Sequence, residues 1–188
     1  NDRVSGTAPV QAAERVMDGW TYYGNGYGNY DGVLDYSTAR DHLSVTEDGP
    51  ADFDQQGLDW IQNICDLCRE HGVQLVVVVT PRPAFNVLVY GEKYPEQMLR
   101  LQQVVERAGG TFLDANLAKG GWYETRDEDF YDGEHLNHNG ATRFSQAFAS
   151  ALQALDAGGS TSSLTYSYDQ WDQYLASIDN ISAVTSTS

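Results

Sequence analysis

The sequence predicts an α/β domain on a parallel sheet, and within that class the closing half of a doubly wound arrangement. Three observations carry this. Val73-Gln74-Leu75-Val76-Val77-Val78-Val79-Thr80 is a continuous apolar run ended by Pro81, the pattern of a strand covered on both faces rather than one. Segments with helical periodicity precede and follow it, giving helix–strand–helix–strand–loop–helix. An acid and an imidazole, Asp132 and His135, fall just past a strand end and ahead of a helix, where loops of such sheets carry function.

The elements follow in order. Residues 1–51 are rich in Gly, Tyr and Asp around Gly19-Trp20-Thr21-Tyr22-Tyr23-Gly24-Asn25-Gly26-Tyr27-Gly28-Asn29-Tyr30 and lack periodicity. An irregular segment packed over the domain by its aromatic side chains is expected, and a sugar-binding platform is the alternative. Asp52 or Asp54 can cap a helix reaching His71, with Leu58, Ile61, Ile64, Cys65, Leu67 and Cys68 as its apolar stripe and Gly72 as its stop. The strand at 73–80 leads into a loop with Arg82, Pro83 and Tyr90. A helix from about Pro95 to Ala108 ends at Gly109-Gly110, and Thr111–Asp114 is a second strand. Asn137 or Asn139 starts a helix to about Leu155. Residues 158–188 are a Gly/Ser/Thr linker, a short helix over Tyr168–Ile181 carrying Trp171, Leu175 and Ile178, and a frayed tail. The expected division is therefore 1–51, 52–157 and 158–188.

The charge balance narrows the partners. Twenty-seven acidic residues against 11 basic ones leave a net charge of −16 over 188 residues, a field that repels phosphate backbones and excludes nucleic-acid binding. No apolar run approaches the length of a membrane span. Cys65 and Cys68 have C-x-x-C spacing, but they lie inside the predicted helix, away from the N-terminus that would stabilise a thiolate. No second Cys or His pair sits at ligand spacing, so buried thiols on a core face are expected.

Asp132-x-x-His135 can supply two members of a hydrolytic triad from one loop. His135 would take the proton of a nucleophile, and Asp132 would fix the imidazole tautomer and stabilise its cation. A loop carboxylate and a packed histidine are the bland alternatives. A third reading gathers Asp127, Glu128, Asp129, Asp132, Glu134, His135 and His138 around calcium or manganese, though their spacing matches no EF-hand and acidic loops are usually just solvated.

The string Phe130-Tyr131-Asp132-x-x-His135-Leu136-Asn137-x-x-Gly140-Ala141-x-x-Phe144-Ser145 resembles the last block of SGNH (GDSL-type) hydrolases. It is most similar to their cell-envelope branch of teichoic-acid D-alanylation and polysaccharide O-acetylation proteins. The resemblance covers about 52–155. It implies a three-layer, flavodoxin-like/SGNH-like parallel sheet of which only the C-terminal half is present. His135 would be the general base, Asp132 its partner, Asn137 the cap of the next helix and Asp114 a structural residue. It further implies ester hydrolysis or acyl transfer on a cell-wall or exported glycan, an extracytoplasmic location, an acylated glycan or small ester as substrate, and no cofactor or metal.

Two departures stand against that pattern. There is no Gly-Asp-Ser, and Ser5, Ser37 and Ser44 follow no hydrophobic strand. The oxyanion donors, a Gly and an Asn in the family, have no clear counterpart; Asn25-Gly26 and Asn29 lack a strand-end context. The serine-bearing strands are expected to precede Asn1 in a longer precursor or to be absent. The alternative is an inactive SGNH-like binding or structural module. With two strands the sheet exposes an edge, to be covered by residues 1–51, paired in a homo-oligomer, or left in a reduced fold.

Overall fold

The computed structural model describes residues 16–17, 19–24, 27–35 and 53–178. Ser5, Ser37, Ser44, Asn25-Gly26, Asp52 and the tail past Ile178 lie outside them. The protein is mixed α/β, with two small sheets.

The first sheet corrects the expectation of an irregular N-terminal segment. β1 (Val16–Met17), β2 (Trp20–Gly24) and β3 (Tyr27–Tyr30) form an antiparallel meander. Trp, Thr and Tyr favour a pleated surface, and the glycines that hid the pattern have local roles. Gly19 turns the chain at φ +82°. At Gly28 a Cβ would come within 2.0 Å of the Trp20 indole, so the missing side chain is what lets that ring lie across the hairpin.

The second sheet is the predicted parallel pair. β4 (Val76–Val79) and β5 (Thr111–Asp114) run side by side with Val76 opposite Thr111 and Val79 opposite Asp114. The helices are α1 (Gln55–Glu70), α2 (Ala84–Val89), α3 (Lys93–Arg107), α4 (His138–Asp156) and α5 (Trp171–Ser177). Leu58 and Cys65 of α1 and Leu101 and Val105 of α3 pack with Phe112, Leu75, Val77 and Val79 on one face of the strands. Phe144, Ala147 and Phe148 of α4 pack with Val78 and Ala115 on the other. The continuous valine run is thus explained by helices on both sides.

Boundaries shift where end effects win. Asp54 caps α1 by accepting from the Gln56 amide. The segment after Pro81, read as a loop, contains α2; Phe85 and Val87 supply its buried face, and Pro83 opens it. The short C-terminal helix is confined to α5, preceded by a 3₁₀ turn at Tyr168–Gln170. Ile64 and Leu67, assigned to the core stripe of α1, are exposed instead, while Cys65 is buried and Cys68 half-buried.

Asp114, at the end of β5, has the structural role expected. Its carboxylate accepts hydrogen bonds from the hydroxyls of Tyr94 (2.9 Å) and Tyr168 (3.0 Å) and from the Asn116 amide (3.0 Å). Burial pushes its pKa up, against the pull of these donors. Asn116 in turn donates to the Thr80 carbonyl and accepts from the Arg82 amide, so the cluster locks the end of β4 to the end of β5. Asp114→Ala leaves the buried Tyr94 hydroxyl, the half-buried Tyr168 hydroxyl and an amide unmatched and should lower unfolding free energy by roughly 2–4 kcal/mol in urea titrations.

Candidate functional site

The loop from Phe130 to Leu136 is closed on itself. Phe130 and Leu136 form an antiparallel bridge, and the Tyr131 amide donates to the His135 carbonyl at 3.2 Å. Inside the loop, Oδ1 of Asp132 accepts from the amides of Glu134 (2.8 Å) and His135 (2.7 Å). This Asx turn points the carboxylate at the imidazole three residues on. Nδ1 of His135 donates to both carboxylate oxygens, at 3.0 and 2.9 Å. That contact fixes the tautomer with the proton on Nδ1 and leaves the Nε2 lone pair unbonded among the described residues. Asp132 and His135 are therefore brought together as the sequence reading expected.

The electrostatics agree. Burial alone would raise the Asp132 pKa, but the two loop amides and the His135 side chain outweigh it and hold the carboxyl below its ordinary value. The Tyr131 ring stacks on the imidazole, 5.6 Å away and 10° from parallel. The His135 side chain nonetheless stays 60% exposed, open to a ligand.

Four neighbours hold the loop. Asn137, fully buried, is the first. Its Oδ1 accepts from the Gly140 amide and caps α4, while its Nδ2 donates to the carbonyls of Gly32 (3.0 Å) and Glu128 (2.7 Å). Gly140 is next: a Cβ there would lie 2.1 Å from the Asp129 carbonyl oxygen. The Asn137-x-x-Gly140 pattern is thus a cap plus the one residue that lets the first turn of α4 press on the preceding backbone. Asp129, also buried, pairs with Arg143 and accepts from the Tyr123 hydroxyl. Finally Asn86 of α2 donates to the Gly133 carbonyl at 2.7 Å.

The hairpin supplies the opposite wall. Tyr30 packs on Tyr131 with ring centroids 4.6 Å apart, Asn29 donates to the Leu136 carbonyl at 3.1 Å, and Tyr27 hydrogen-bonds with Nδ1 of His138. Together these walls enclose an open cleft of about 320 Å³ lined by Gly28, Asn29, Thr80, Tyr131, Glu134 and His135, among others. Thr80 brings it to the end of β4. No serine among the described residues lines it; the hydroxyls present are those of Thr80 and Tyr131.

Sequence reasoning missed Asn86 and the placement of Asn29. Nothing local marks either, because both act across more than 40 positions of chain. The metal reading finds no support in the geometry. Asp129 is committed to Arg143 and Asp132 to His135, and no group of three or more potential ligands comes together among the described residues. The C-x-x-C pair lies far along α1, its Cys65 thiol pushed up in pKa by burial. No helix of the described residues is long and apolar enough to cross a membrane. No protein-family model, curated protein or solved structure matches the chain.

Two outcomes test this construction. Asn137→Asp keeps the cap acceptor but sets a carboxylate oxygen against two carbonyls, so it should cost roughly 2–4 kcal/mol of stability, well beyond a lost cap alone. Asp132→Asn keeps the Asx acceptor and removes the charge. Because the folded-state pKa of Asp132 is depressed, its contribution is present above the unfolded value and lost as pH falls. The stability gap between wild type and Asp132→Asn should be open at neutral pH and close below the ordinary carboxylate value of 3.8 in pH-resolved denaturant titrations.

Proposed function

We propose that this chain is the Asp/His-bearing part of an SGNH-like esterase or O-acyltransferase acting on acyl esters of cell-wall or exported glycans, outside the cytoplasm. The observation that carries the reading is the bidentate Asp132–His135 contact, with an unbonded Nε2 beside an open cleft. An imidazole so held can take a hydroxyl proton, stabilise the resulting cation, and return the proton to a leaving alkoxide. The frame fits as well. Helices on both faces of a parallel pair, with the dyad loop beyond the carboxyl ends of the strands, are what a three-layer, flavodoxin-like sheet would place there. The Phe130–Ser145 string supplies the family reading.

In this scheme a serine from outside the described residues attacks the ester carbonyl. Its proton passes to Nε2 of His135, and the alkoxide leaves with that proton; water or an acceptor hydroxyl then repeats the exchange on the acyl-enzyme. The tyrosines of the hairpin would bear on the sugar, since flat amphipathic rings suit its C–H faces.

A second reading has its own support. No serine among the described residues lines the cleft, while Tyr131 lines it with Tyr30 packed on its ring, as in a glycan-binding module without catalysis.

Intact-mass analysis after treatment with a fluorophosphonate separates the two. A single adduct, lost in His135→Ala, is expected, with peptide mapping naming the nucleophile. Hydrolysis of a p-nitrophenyl ester should fall in Asp132→Asn by about 10³-fold or more. Folded wild-type protein that takes no adduct would favour the binding module, or a chain severed from its nucleophile, over a functional triad in this chain.

A further inference from the structure

Beside the His135 cleft lies a second cavity that the proposed chemistry leaves unused. It holds about 430 Å³ and is more enclosed than the cleft, within the roughly 300–1,000 Å³ of small-molecule sites. Its floor is the chain leaving β5, at Ala115 and Asn116, and one wall is the segment entering α2, at Arg82 and Ala84. The opposite wall comes from the C-terminal segment. Ala118 forms a bridge with Thr165, and the Tyr166 amide donates to the Leu117 carbonyl at 2.9 Å. These contacts pin that segment along the exit of β5 and set Tyr166 and Tyr174 against the cavity. The site therefore lies past the carboxyl ends of the parallel pair, where open α/β sheets bind ligands.

Tyr174 is the informative residue. It is 7% exposed, yet its hydroxyl has no hydrogen-bond partner among the described residues. The only side-chain polar atom among them that is both sealed from solvent and unpaired is Nε1 of Trp171. The Tyr174 hydroxyl is thus open to space, and the cavity is the space that Tyr174 lines. Burial and the nearby Asp114 carboxylate push its pKa up, so it is a neutral group able to donate and to accept. Arg82 stands at the boundary with the cleft. Its guanidinium meets Asn86 at 3.4 Å and Glu134 at 3.5 Å, both long contacts, which leaves donors for a ligand. Glu134 lines the cleft and Arg82 the cavity, so the two openings are neighbours.

Charge narrows the ligand. Arg82 and the carboxylates of Glu124 and Asp127 give the cavity both signs. An anion would face two carboxylates in a chain of net charge −16, and a cation would face the guanidinium. A neutral ligand rich in hydroxyls suits both. Each hydroxyl can accept from Arg82 or Tyr174 and donate to a carboxylate, while tyrosine rings take apolar C–H faces. We propose that this cavity is a saccharide subsite, holding one unit of a neutral glycan whose next unit reaches the His135 cleft across Arg82 and Glu134. The choice of a glycan over another polyol rests on the reading above; binding in the cavity needs no nucleophile in this chain.

Amide NMR titration with cellotetraose, chitotetraose and maltotetraose is the test. At least one should shift the Gly120, Thr125 and Ser177 amides, which belong to the cavity. Tyr174→Phe keeps the ring and its packing on Trp171, and should weaken that binding about three- to tenfold, the worth of one neutral hydrogen bond. Arg82→Gln should weaken it by about tenfold or more. His135→Ala should retain the Gly120, Thr125 and Ser177 shifts. Shifts confined to Gly28, Asn29 and Leu136 of the cleft, or an affinity that both cavity variants preserve, would overturn the subsite. So would the absence of any shift with all three sugars at millimolar concentration. Adduct formation is read separately: no adduct with cavity shifts removes the triad and keeps the subsite, and an adduct without them does the reverse.

Discussion

A single buried amide organises the region around His135. Asn137 is 1% exposed, and burying an unpaired carboxamide would be costly. Its oxygen starts α4, and its nitrogen holds the backbone leading into the dyad loop and the segment that follows the hairpin. Its own amide donates to the Asp129 carbonyl at 2.7 Å. One of these partners, Gly32, lies 105 positions away in the sequence, so satisfying that side chain holds the segment after the hairpin against the loop. The position of Asp132 and His135 follows from it.

The site is supported from the sheet by a second polar knot. Asp114 and Asn116 tie Tyr94 of α3 and Tyr168 to the carboxyl end of β4. Both knots are buried carboxylate or carboxamide groups whose partners come from several elements, the condition under which polar burial specifies one arrangement. Between them the strand ends present Thr80 and the loop presents His135 to the same cleft. Rigid support of this kind suits a base that must stay aligned through proton transfer.

The far side of the domain is built differently. There the Trp60, Ile64 and Leu67 stripe of α1 is apolar and exposed, and β4 pairs with β5 alone among the described residues, whereas the cleft side is polar and densely hydrogen-bonded. A parallel strand hydrophobic on both faces belongs inside a wider sheet.

Much of this was legible in the residues. The valine run, the caps at Asp54 and Asn137, the strand at Thr111–Asp114 and the Asp132/His135 spacing are local patterns, set by side-chain period, capping chemistry and turn geometry within a few positions. The hairpin was not legible, because its glycines read as irregularity until Trp20 is seen lying on Gly28. Nor was α2, whose six residues are too few for a period to show and which is held by burial of Phe85 and Val87. The exposure of Ile64 and Leu67 was equally hidden, since periodicity tells which residues share a face and not whether anything covers it. The sequence by itself determined α1, α3, α4, the parallel strand pair and which acid faces which imidazole. Only the tertiary structure decided that Asn29, Thr80 and Tyr131 share a cleft with them, because those contacts join residues up to 107 positions apart, and no local rule spans such a distance.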